Sequence, residues 1–378
     1  MTVKHWLSMA LGILLLVALT ACGTPDSAPA PAAAEPATEA TEAPADTAAE
    51  ATTEEAAPEE TVTEETVTEE ADAEATEAPA EEAAADTGER PYIPIISKGF
   101  QHQFWQAVKA GADQAAAEFN VEITFEGPET EAMVDRQLEM VQTALDKNPD
   151  AICIAALDSQ ALVPLLERAQ EAGIPVVGFD SGVDSDIPVT TAATDNIAAA
   201  AAAADKMAEL IGGEGEIAVI VHDQTSRTGI DRRDGFVNRI EAEYPNITIV
   251  DVQYGGGDHL KSTDLAKAII QAHPNLKGFF GANEGSAIGV LNAVTELGLE
   301  GQIVVIGYDA GKQQLDAVRS GVMAGAITQN PVGIGYKCVE SAVKALNGET
   351  LDPVTDTGFY WYDATNMDSE EIKPLLYE

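Results

Sequence analysis

Basic residues are scarce in this 378-residue chain. Lys and Arg number 20 against 64 Asp and Glu, which gives a formal net charge of −44 at pH 7. The excess is not confined to one end, because residues 91–378 still carry 43 acidic against 18 basic side chains. A surface of this sign repels phosphate groups, which argues against nucleic acid as a partner. The simplest explanation of the remaining acidity is solubility.

Catalytic motifs are also missing. The chain has no glycine-rich phosphate loop, no nucleophile elbow and no HExxH metal motif. His222 and Asp223, together with Asp309, could serve an acid–base reaction, but no nucleophile or cofactor motif accompanies them. We therefore expect a protein that is not an enzyme and that binds neither a cofactor nor a metal.

Cysteine occurs only three times, at Cys22, Cys153 and Cys338. Cys153 lies in the apolar run AICIAA and Cys338 in a helical segment, so both are expected to be small buried hydrophobic residues. Whether these two form a disulfide stays open, because pairing does not follow from sequence alone.

The N-terminus has the pattern of an export signal. Lys4 precedes an apolar stretch, residues 6–19, that is short for a membrane span, so residues 1–21 are predicted to be a signal peptide. Leu-Thr-Ala-Cys at 19–22 resembles the lipobox of bacterial lipoproteins. That resemblance implies an acylated Cys22 and a protein anchored at the outer face of the cytoplasmic membrane or in the periplasm. The alternative is an ordinary secretory peptide with an incidental cysteine.

Residues 22–90 form a low-complexity segment of Ala, Pro, Thr and Glu. It has no aromatic residue and contains TVTEE twice in succession, at 61–70. Such a composition cannot bury a core, and repulsion between its carboxylates extends the chain. We predict a disordered acidic tether between Cys22 and a folded region.

From Tyr92 onward, short apolar runs alternate with helical stretches. The runs at 93–97, 151–156, 175–179, 276–281 and 302–307 are typical of strands buried on both faces. Helices fall between them, including one expected from about Thr130 to Asp146. The alternation predicts an α/β fold in which helices cover parallel sheets. Two series of about five strands predict two doubly wound lobes, and one sheet of ten strands is the alternative.

Several predicted strands end in a side chain that can hydrogen-bond a polar ligand. These side chains are Asp180, His222, Asn283, Asp309 and Gln329. In an open α/β sheet the carboxyl ends of the strands share one edge, so the side chains should converge in each lobe. Any one of them could be a helix cap or a turn residue. Five with the same chemistry favour a binding cleft.

A polar loop at 97–103 leads from the first strand to Phe104 and Trp105 at the start of a helix. Flat rings pack against the C–H face of a sugar, while carboxylates, amides and Arg232 can bind its hydroxyl groups. This pattern predicts a small polyhydroxylated ligand. In the alternative interpretation one ring belongs to the core and Arg232 makes a surface salt bridge.

At this point the chain resembles the type I periplasmic sugar-binding proteins of ABC transporters, specifically the ribose-binding group. The likeness extends from Tyr92 to about Asn366. Besides the aromatic pair, the motifs are PVVGFDSG (175–182), TDN (194–196), RRDGF (232–236), IIQAHPNLKGFFGANE (269–284), VVIGYDAG (304–311) and AITQNP (326–331).

The resemblance implies a small carbohydrate held between two lobes. The implied contacts are Ser97, Gln101, His102, Phe104, Trp105 and Asp180 in the first lobe, and Arg232, Asn283, Asp309 and Gln329 in the second.

The chain departs from the ribose pattern at three places. Ser181 stands where that group has an arginine, and Gly257 stands where it has a second-lobe aromatic. The first loop is one residue longer, which leaves open whether Ser97 or Lys98 faces the ligand. These departures put ribose itself in question and leave the class, a small polar carbohydrate.

The resemblance also implies a path for the chain. The first lobe would comprise residues 91–194 plus 331–361, and the second 195–330 plus 362–378. Three crossings, near Thr194, Asn330 and Trp361, would form a hinge. The closed form would be recognised by the membrane permease of an ABC importer, and the protein would be a monomer.

Other functions on the same fold stay open. The ligand could be a cyclic polyol, a nucleoside or a signalling furanone, and the closed form could dock on a chemoreceptor. The related transcriptional repressors need a DNA-binding headpiece. Here a signal peptide and an acidic tether occupy that position, which excludes them.

Overall fold

The structure is a computed structural model that describes residues 90–377. The predicted signal peptide, Cys22 and the acidic tether lie outside the described residues. The strands are β1 (Tyr92–Ile96), β2 (Glu122–Glu126), β3 (Ile152–Ile154), β4 (Val176–Phe179), β5 (Thr190–Ala193), β6 (Gly215–Val221), β7 (Ile247–Tyr254), β8 (Leu276–Gly281), β9 (Val304–Tyr308), β10 (Gly325–Gln329), β11 (Val354–Asp356) and β12 (Phe359–Tyr362). The helices are α1 (Gln103–Phe119), α2 (Val134–Asp146), α3 (Val163–Glu171), α4 (Asn196–Ile211), α5 (Arg227–Glu243), α6 (His259–Ala272), α7 (Glu284–Glu296), α8 (Lys312–Ser320) and α9 (Pro331–Leu346).

The strands form two six-stranded sheets, one in each lobe. The first has the order β11-β5-β4-β3-β1-β2 and is parallel throughout. The second has the order β12-β10-β9-β8-β6-β7, with β12 antiparallel to β10. Two doubly wound α/β lobes were predicted from the alternation of strands and helices, and this fold class is confirmed. In each lobe the strand order reverses next to the first strand of the series, where ligands bind in such sheets.

Each sheet is buried on both faces. In β1, Ile93 and Ile95 pack into one apolar cluster while Ile96 packs into another on the opposite face. Successive side chains of a strand point to opposite faces, so an unbroken apolar run suits a strand covered by helices on both sides.

Helix α9 returns to the first lobe and packs closely against α1. A Cβ atom on Gly335 would lie only 1.9 Å from the carbonyl oxygen of Val108, and one on Gly111 would lie 1.9 Å from that of Val332. The two backbones therefore touch at a pair of glycines. This contact fixes α9 to the first lobe although it follows a strand of the second.

The chain passes between the lobes three times. The first passage lies between β5 and α4, the second between β10 and α9, and the third at residues 357–358 between β11 and β12. The third crossing was expected near Trp361, with residues up to 361 in the first lobe, and this position was wrong. Trp361 lies inside β12, where it is paired with Ile327 of the second sheet.

Two local features differ from the expected elements. Strands β11 and β12 were not predicted, since each is short and its partner strand is distant in the sequence. Helix α2 begins at Val134 rather than near Thr130, so residues 127–133 form a loop at the carboxyl end of β2. Among residues 90–377, no helix combines the length and the apolar character that crossing a membrane requires.

Candidate functional site

A cleft lies between the carboxyl ends of the two sheets and is lined by both lobes. The first lobe contributes Lys98, His102, Phe104, Trp105, Glu131 and Asp180, and the second contributes His222, Thr228, Arg232, Asn283, Asp309 and Gln329. The cleft contains about 270 Å³ free of protein atoms. Most of the side chains that line it are polar.

The cleft brings together most of the predicted site residues but not Ser97 or Gln101. The Ser97 hydroxyl lies 3.1 Å from the carbonyl oxygens of both Gly99 and Glu126 and can donate to either, so it holds the loop after β1 rather than facing the cleft. Gln101 lies at the outer rim, where its Nε2 donates to the Gly257 carbonyl oxygen at 3.2 Å. The expectation that Ser97 faces the ligand is therefore not supported by its geometry.

Lys98, rather than its neighbour Ser97, reaches into the cleft. Its Nζ lies 3.1 Å from Thr228 Oγ1, 3.4 Å from Ser226 Oγ and 3.8 Å from Asp223 Oδ2, all in the second lobe. The lysine is 2% exposed. It therefore joins the two lobes directly across the site.

The aromatic wall is formed by Phe104 and Trp105 in the first turn of α1. Their rings meet edge to face, with centroids 5.0 Å apart, and both are almost fully buried. The indole Nε1 donates to Glu131 Oε1 at 2.8 Å, which fixes the orientation of the tryptophan ring. The pair forms an apolar face in an otherwise polar cleft.

Asp180 follows β4 in a left-handed backbone conformation, with φ of 53°. Burial raises the pKa of its carboxyl group to about 6, because Lys98 and Arg232 offset only part of the desolvation and other carboxylates add to it. A carboxyl group that is partly protonated near neutral pH can both donate to and accept from a hydroxyl group.

Arg232 forms the opposite wall from the second turn of α5. Its Nε donates to Asn196 Oδ1 at 2.8 Å and its Nη1 to the Ala282 carbonyl oxygen at 3.0 Å. The guanidinium carbon lies 3.8 Å from the centroid of the Tyr308 ring. These contacts hold the guanidinium group against the Tyr308 ring, and Arg232 still lines the cleft.

Asp309 and Gln329 are linked to the first crossing. Gln329 Nε2 donates to Asp309 Oδ1 at 2.8 Å, and Thr194 Oγ1 donates to Gln329 Oε1 at 2.9 Å. The other carboxylate oxygen of Asp309 accepts from the backbone N–H of Glu284 at 2.9 Å. Site side chains and crossing residues therefore share one hydrogen-bonded chain.

Asn283 and His222 each have one side-chain atom hydrogen-bonded within the second lobe. Asn283 Oδ1 caps α7 by accepting from Ser286 N at 2.9 Å. His222 Nε2 lies 3.1 Å from Thr228 Oγ1, while its buried Nδ1 has no hydrogen-bond partner among the described residues. Burial, reinforced by Lys98, keeps the pKa of His222 far below its usual range, so the ring is neutral.

Four lining residues were not among the predicted contacts: Lys98, Glu131, His222 and Thr228. His222 had been noted as a strand-end residue, and Lys98 had been left open against Ser97. Glu131 gave no signal, because it lies in a stretch that reads as the first turn of a helix. Within residues 90–377 no group of three or more His, Cys, Asp or Glu side chains is placed to hold a metal ion.

Two of the three cysteines lie among the described residues, and both were expected to be buried. Cys153 and Cys338 are both buried and free, and Cys153 Sγ lies 3.7 Å from the Cys338 carbonyl oxygen. They pack in the core of the first lobe as small apolar side chains.

Comparison with known proteins gives consistent matches over the folded region. Residues 93–350 match the periplasmic binding protein domain. The chain is 29% identical over 268 residues to the D-allose-binding periplasmic protein of Escherichia coli, covering 69% of this chain and 86% of that protein.

Two solved structures resemble it with TM-scores of 0.74, and both are solute-binding proteins of transporters. One, from Agrobacterium vitis, contains D-fucose and is 35% identical, with 76% of this chain and 100% of that chain covered. The other, from Agrobacterium radiobacter, contains D-arabinose and is 30% identical, with 76% and 99% covered. With the family model matched over residues 93–350, most of the described chain, this chain belongs to the periplasmic binding protein family.

Proposed function

We propose that this protein captures a monosaccharide in the cleft between its lobes and delivers it to the permease of an ABC importer. The observation that carries the proposal is the composition of the cleft. An apolar face of two rings stands among carboxylates, amides and an arginine, which is the chemistry that a sugar with one C–H face and several hydroxyl groups requires. Relatives that contain D-fucose and D-arabinose support the same ligand class.

The charge of the cleft favours a neutral ligand. Lys98 and Arg232 are matched by Glu131, Asp180 and Asp309. A sugar brings no charge of its own and adds donors and acceptors to side chains that are only partly hydrogen-bonded. A phosphorylated or carboxylated ligand would meet three buried acids.

Binding is expected to stabilise the closed arrangement. Contacts from both lobes can reach one ligand only while the lobes are together, so the ligand shifts the population toward that form. The permease would recognise the closed form. The family of this chain consists of binding proteins of transport systems, so the bound sugar is delivered and not converted.

The family supports a location outside the cytoplasm. We further propose that Cys22 is acylated, that the acidic segment tethers the lobes to the membrane, and that the protein acts as a monomer. The lipobox-like sequence Leu-Thr-Ala-Cys supports the first of these.

A ligand panel tests the proposal. The full-length protein is screened for thermal stabilisation by D-allose, D-ribose, D-fucose, D-arabinose, D-galactose, cyclic polyols and nucleosides, and hits are measured by titration calorimetry. A ligand that binds only the folded protein must raise its melting temperature. We expect at least one monosaccharide to do so in a one-to-one complex without turnover. A shift by a nucleoside and by no sugar or polyol would exclude sugar binding.

A further inference from the structure

Glu131 occupies a position that only the folded chain reveals. It lies in the loop between β2 and α2, is 6% exposed and lines the cleft beside the aromatic wall. Helix α2 begins three residues later, so this glutamate is free to turn inward from the carboxyl end of the first sheet.

The two oxygens of Glu131 have different surroundings. Oε1 accepts from Trp105 Nε1 at 2.8 Å and lies 3.9 Å from His102 Nε2. Among the described residues, no donor is bonded to Oε2. This second oxygen faces Gly257 of the other lobe, since a Cβ atom on that glycine would lie 3.1 Å from it. A side chain at position 257 would crowd Oε2, so the glycine lets the second lobe approach Glu131 closely.

The carboxylate is ionised in this setting. Burial opposes ionisation of Glu131, but nearby positive charge, above all from Lys98, and the indole N–H together hold its pKa below the ordinary value. An ionised carboxylate is an acceptor only, so Oε2 can accept a hydrogen bond from a ligand hydroxyl group. Once the ligand excludes water from the cleft, that hydroxyl group would be the donor for Oε2.

We propose that Glu131 selects the ligand: Oε2 accepts a hydrogen bond from one hydroxyl group of the bound sugar while Oε1 holds the ring on which the sugar stacks. The inference rests on the proposed sugar-binding function and names a residue that distinguishes sugars within that class. A sugar that lacks this hydroxyl leaves Oε2 without a donor once the bound ligand has displaced water from the cleft. Sites built to hydrogen-bond a ligand hydroxyl reject the analogue that lacks it for this reason.

The test compares each hydroxyl position in the wild type and in variants. The probes are the sugars of the panel above, and, for whichever binds most tightly, its monodeoxy derivatives taken one position at a time. We expect one deoxy position to weaken binding to the full-length protein by roughly 10- to 100-fold, the range for hydrogen bonds to a charged group. Glu131→Ala should abolish that penalty at this position and leave the penalties at other positions in place. Glu131→Gln, which keeps the shape, should reduce it.

Two further variants distinguish hydrogen bonding between Glu131 and the ligand from orientation of the Trp105 ring by Glu131. Trp105→Phe removes the indole donor and weakens all the sugars, but it should keep the penalty at the selected position because the carboxylate remains. Glu129→Gln makes the same charge change at an exposed position of the same loop and should leave every affinity unchanged.

The outcomes are distinguishable. If Glu131→Ala and Glu131→Gln weaken the parent sugar and all deoxy sugars by one common factor, Glu131 only positions Trp105 and the inference is overturned, while sugar binding stands. If no sugar in the panel binds the wild type, the proposed function and this inference fail together.

Discussion

Glu284 of the second lobe caps the first helix of the other lobe at Phe104. Its Oε2 accepts from Phe104 N and its Oε1 from Gln103 N, each at 3.2 Å, although the residues are about 180 positions apart in the chain. The first N–H groups of a helix have no partner within the helix, and its N-terminus favours negative charge. Glu284 is 4% exposed. Its two hydrogen bonds to α1 join the lobes and can form only while the lobes are together.

We expect Glu284→Gln to weaken ligand binding although the residue does not line the cleft. Loss of charge at the helix N-terminus should cost about 1–2 kcal/mol of closing free energy, or roughly 5- to 30-fold in apparent affinity. Calorimetry measures the affinity, and small-angle scattering measures the closed fraction at saturating ligand. Glu241→Gln, an exposed carboxylate on the same lobe, is the control. Equal affinity for Glu284→Gln and wild type would contradict a closing role.

Asp180 should make stability depend on pH. Its pKa is about 6 in the folded protein against 3.8 ordinarily, so the folded form binds the proton more tightly. Protonated Asp180 therefore stabilises the folded form most below about pH 4. As the pH rises through 6, the free energy of unfolding falls by about 3 kcal/mol. Asp180→Asn should therefore gain stability relative to wild type between pH 4 and 7 in urea titrations, while its ligand affinity falls. Asp186→Asn, exposed on the same loop, should show no such trend. A constant difference between Asp180→Asn and wild type across this range would refute the assignment.

Arg232→Lys keeps the positive charge but removes the planar guanidinium group and its several N–H donors. The Ala282 carbonyl oxygen loses its guanidinium donor and Asn196 Oδ1 keeps only the Tyr308 hydroxyl, so we expect a loss of about 1–3 kcal/mol in stability and at least a tenfold loss of affinity. Denaturant unfolding and calorimetry measure the two effects. Arg233→Lys changes the adjacent, partly exposed arginine and serves as the control. Retained affinity would remove Arg232 from the ligand wall.

The contact between α1 and α9 predicts a stability effect unrelated to the ligand. A methyl group at Gly335 would overlap the Val108 carbonyl oxygen, so Gly335→Ala should lower the unfolding free energy by about 1–3 kcal/mol or more. At Gly182 a Cβ atom would have no neighbour closer than 3.6 Å, and Gly182→Ala should be nearly neutral. Thermal unfolding compares the two, and similar melting temperatures would mean that the helices separate at low cost.

Cys22→Ser tests the proposed anchor. Without the thiol no acyl chain can be attached, so the variant should move from the membrane fraction to the soluble fraction of lysed cells. Cys338→Ala, a change at a buried cysteine, should leave the distribution unchanged. Continued membrane association of Cys22→Ser would refute lipidation.

Much of the architecture follows from local pattern. The β-branched run at 93–96 forms β1, and Asp180, Asn283 and Asp309 reach one cleft because parallel strands end at a common edge. The polar loop after β1 was less predictable. The two-residue alternation of a strand stops there, so nothing in the sequence decided between Ser97 and Lys98.

Long-range pairing explains the other errors. Strand β12 exists because Tyr360 and Trp361 pair with Thr328 and Ile327 of β10, and no feature near residue 360 records that partner. Glu131 resembles a helix residue by its neighbours and enters the cleft because Trp105, 26 positions earlier, donates to it.

The hydrogen-bonded chain from Thr194 through Gln329 to Asp309 begins at the first crossing and includes the residue that precedes the second. If the lobes rotate about the crossings, as we propose, side chains close to them would move least, and Lys98 and Glu284, which bond to the opposite lobe, would separate from their partners. Contacts made equally in open and closed forms add affinity without favouring either form, whereas contacts made in one form alone shift the balance. In the proposed closing motion, Asp309 and Gln329 would therefore contribute mainly to affinity, and the bonds of Lys98 and Glu284 to the opposite lobe would set how completely the protein closes.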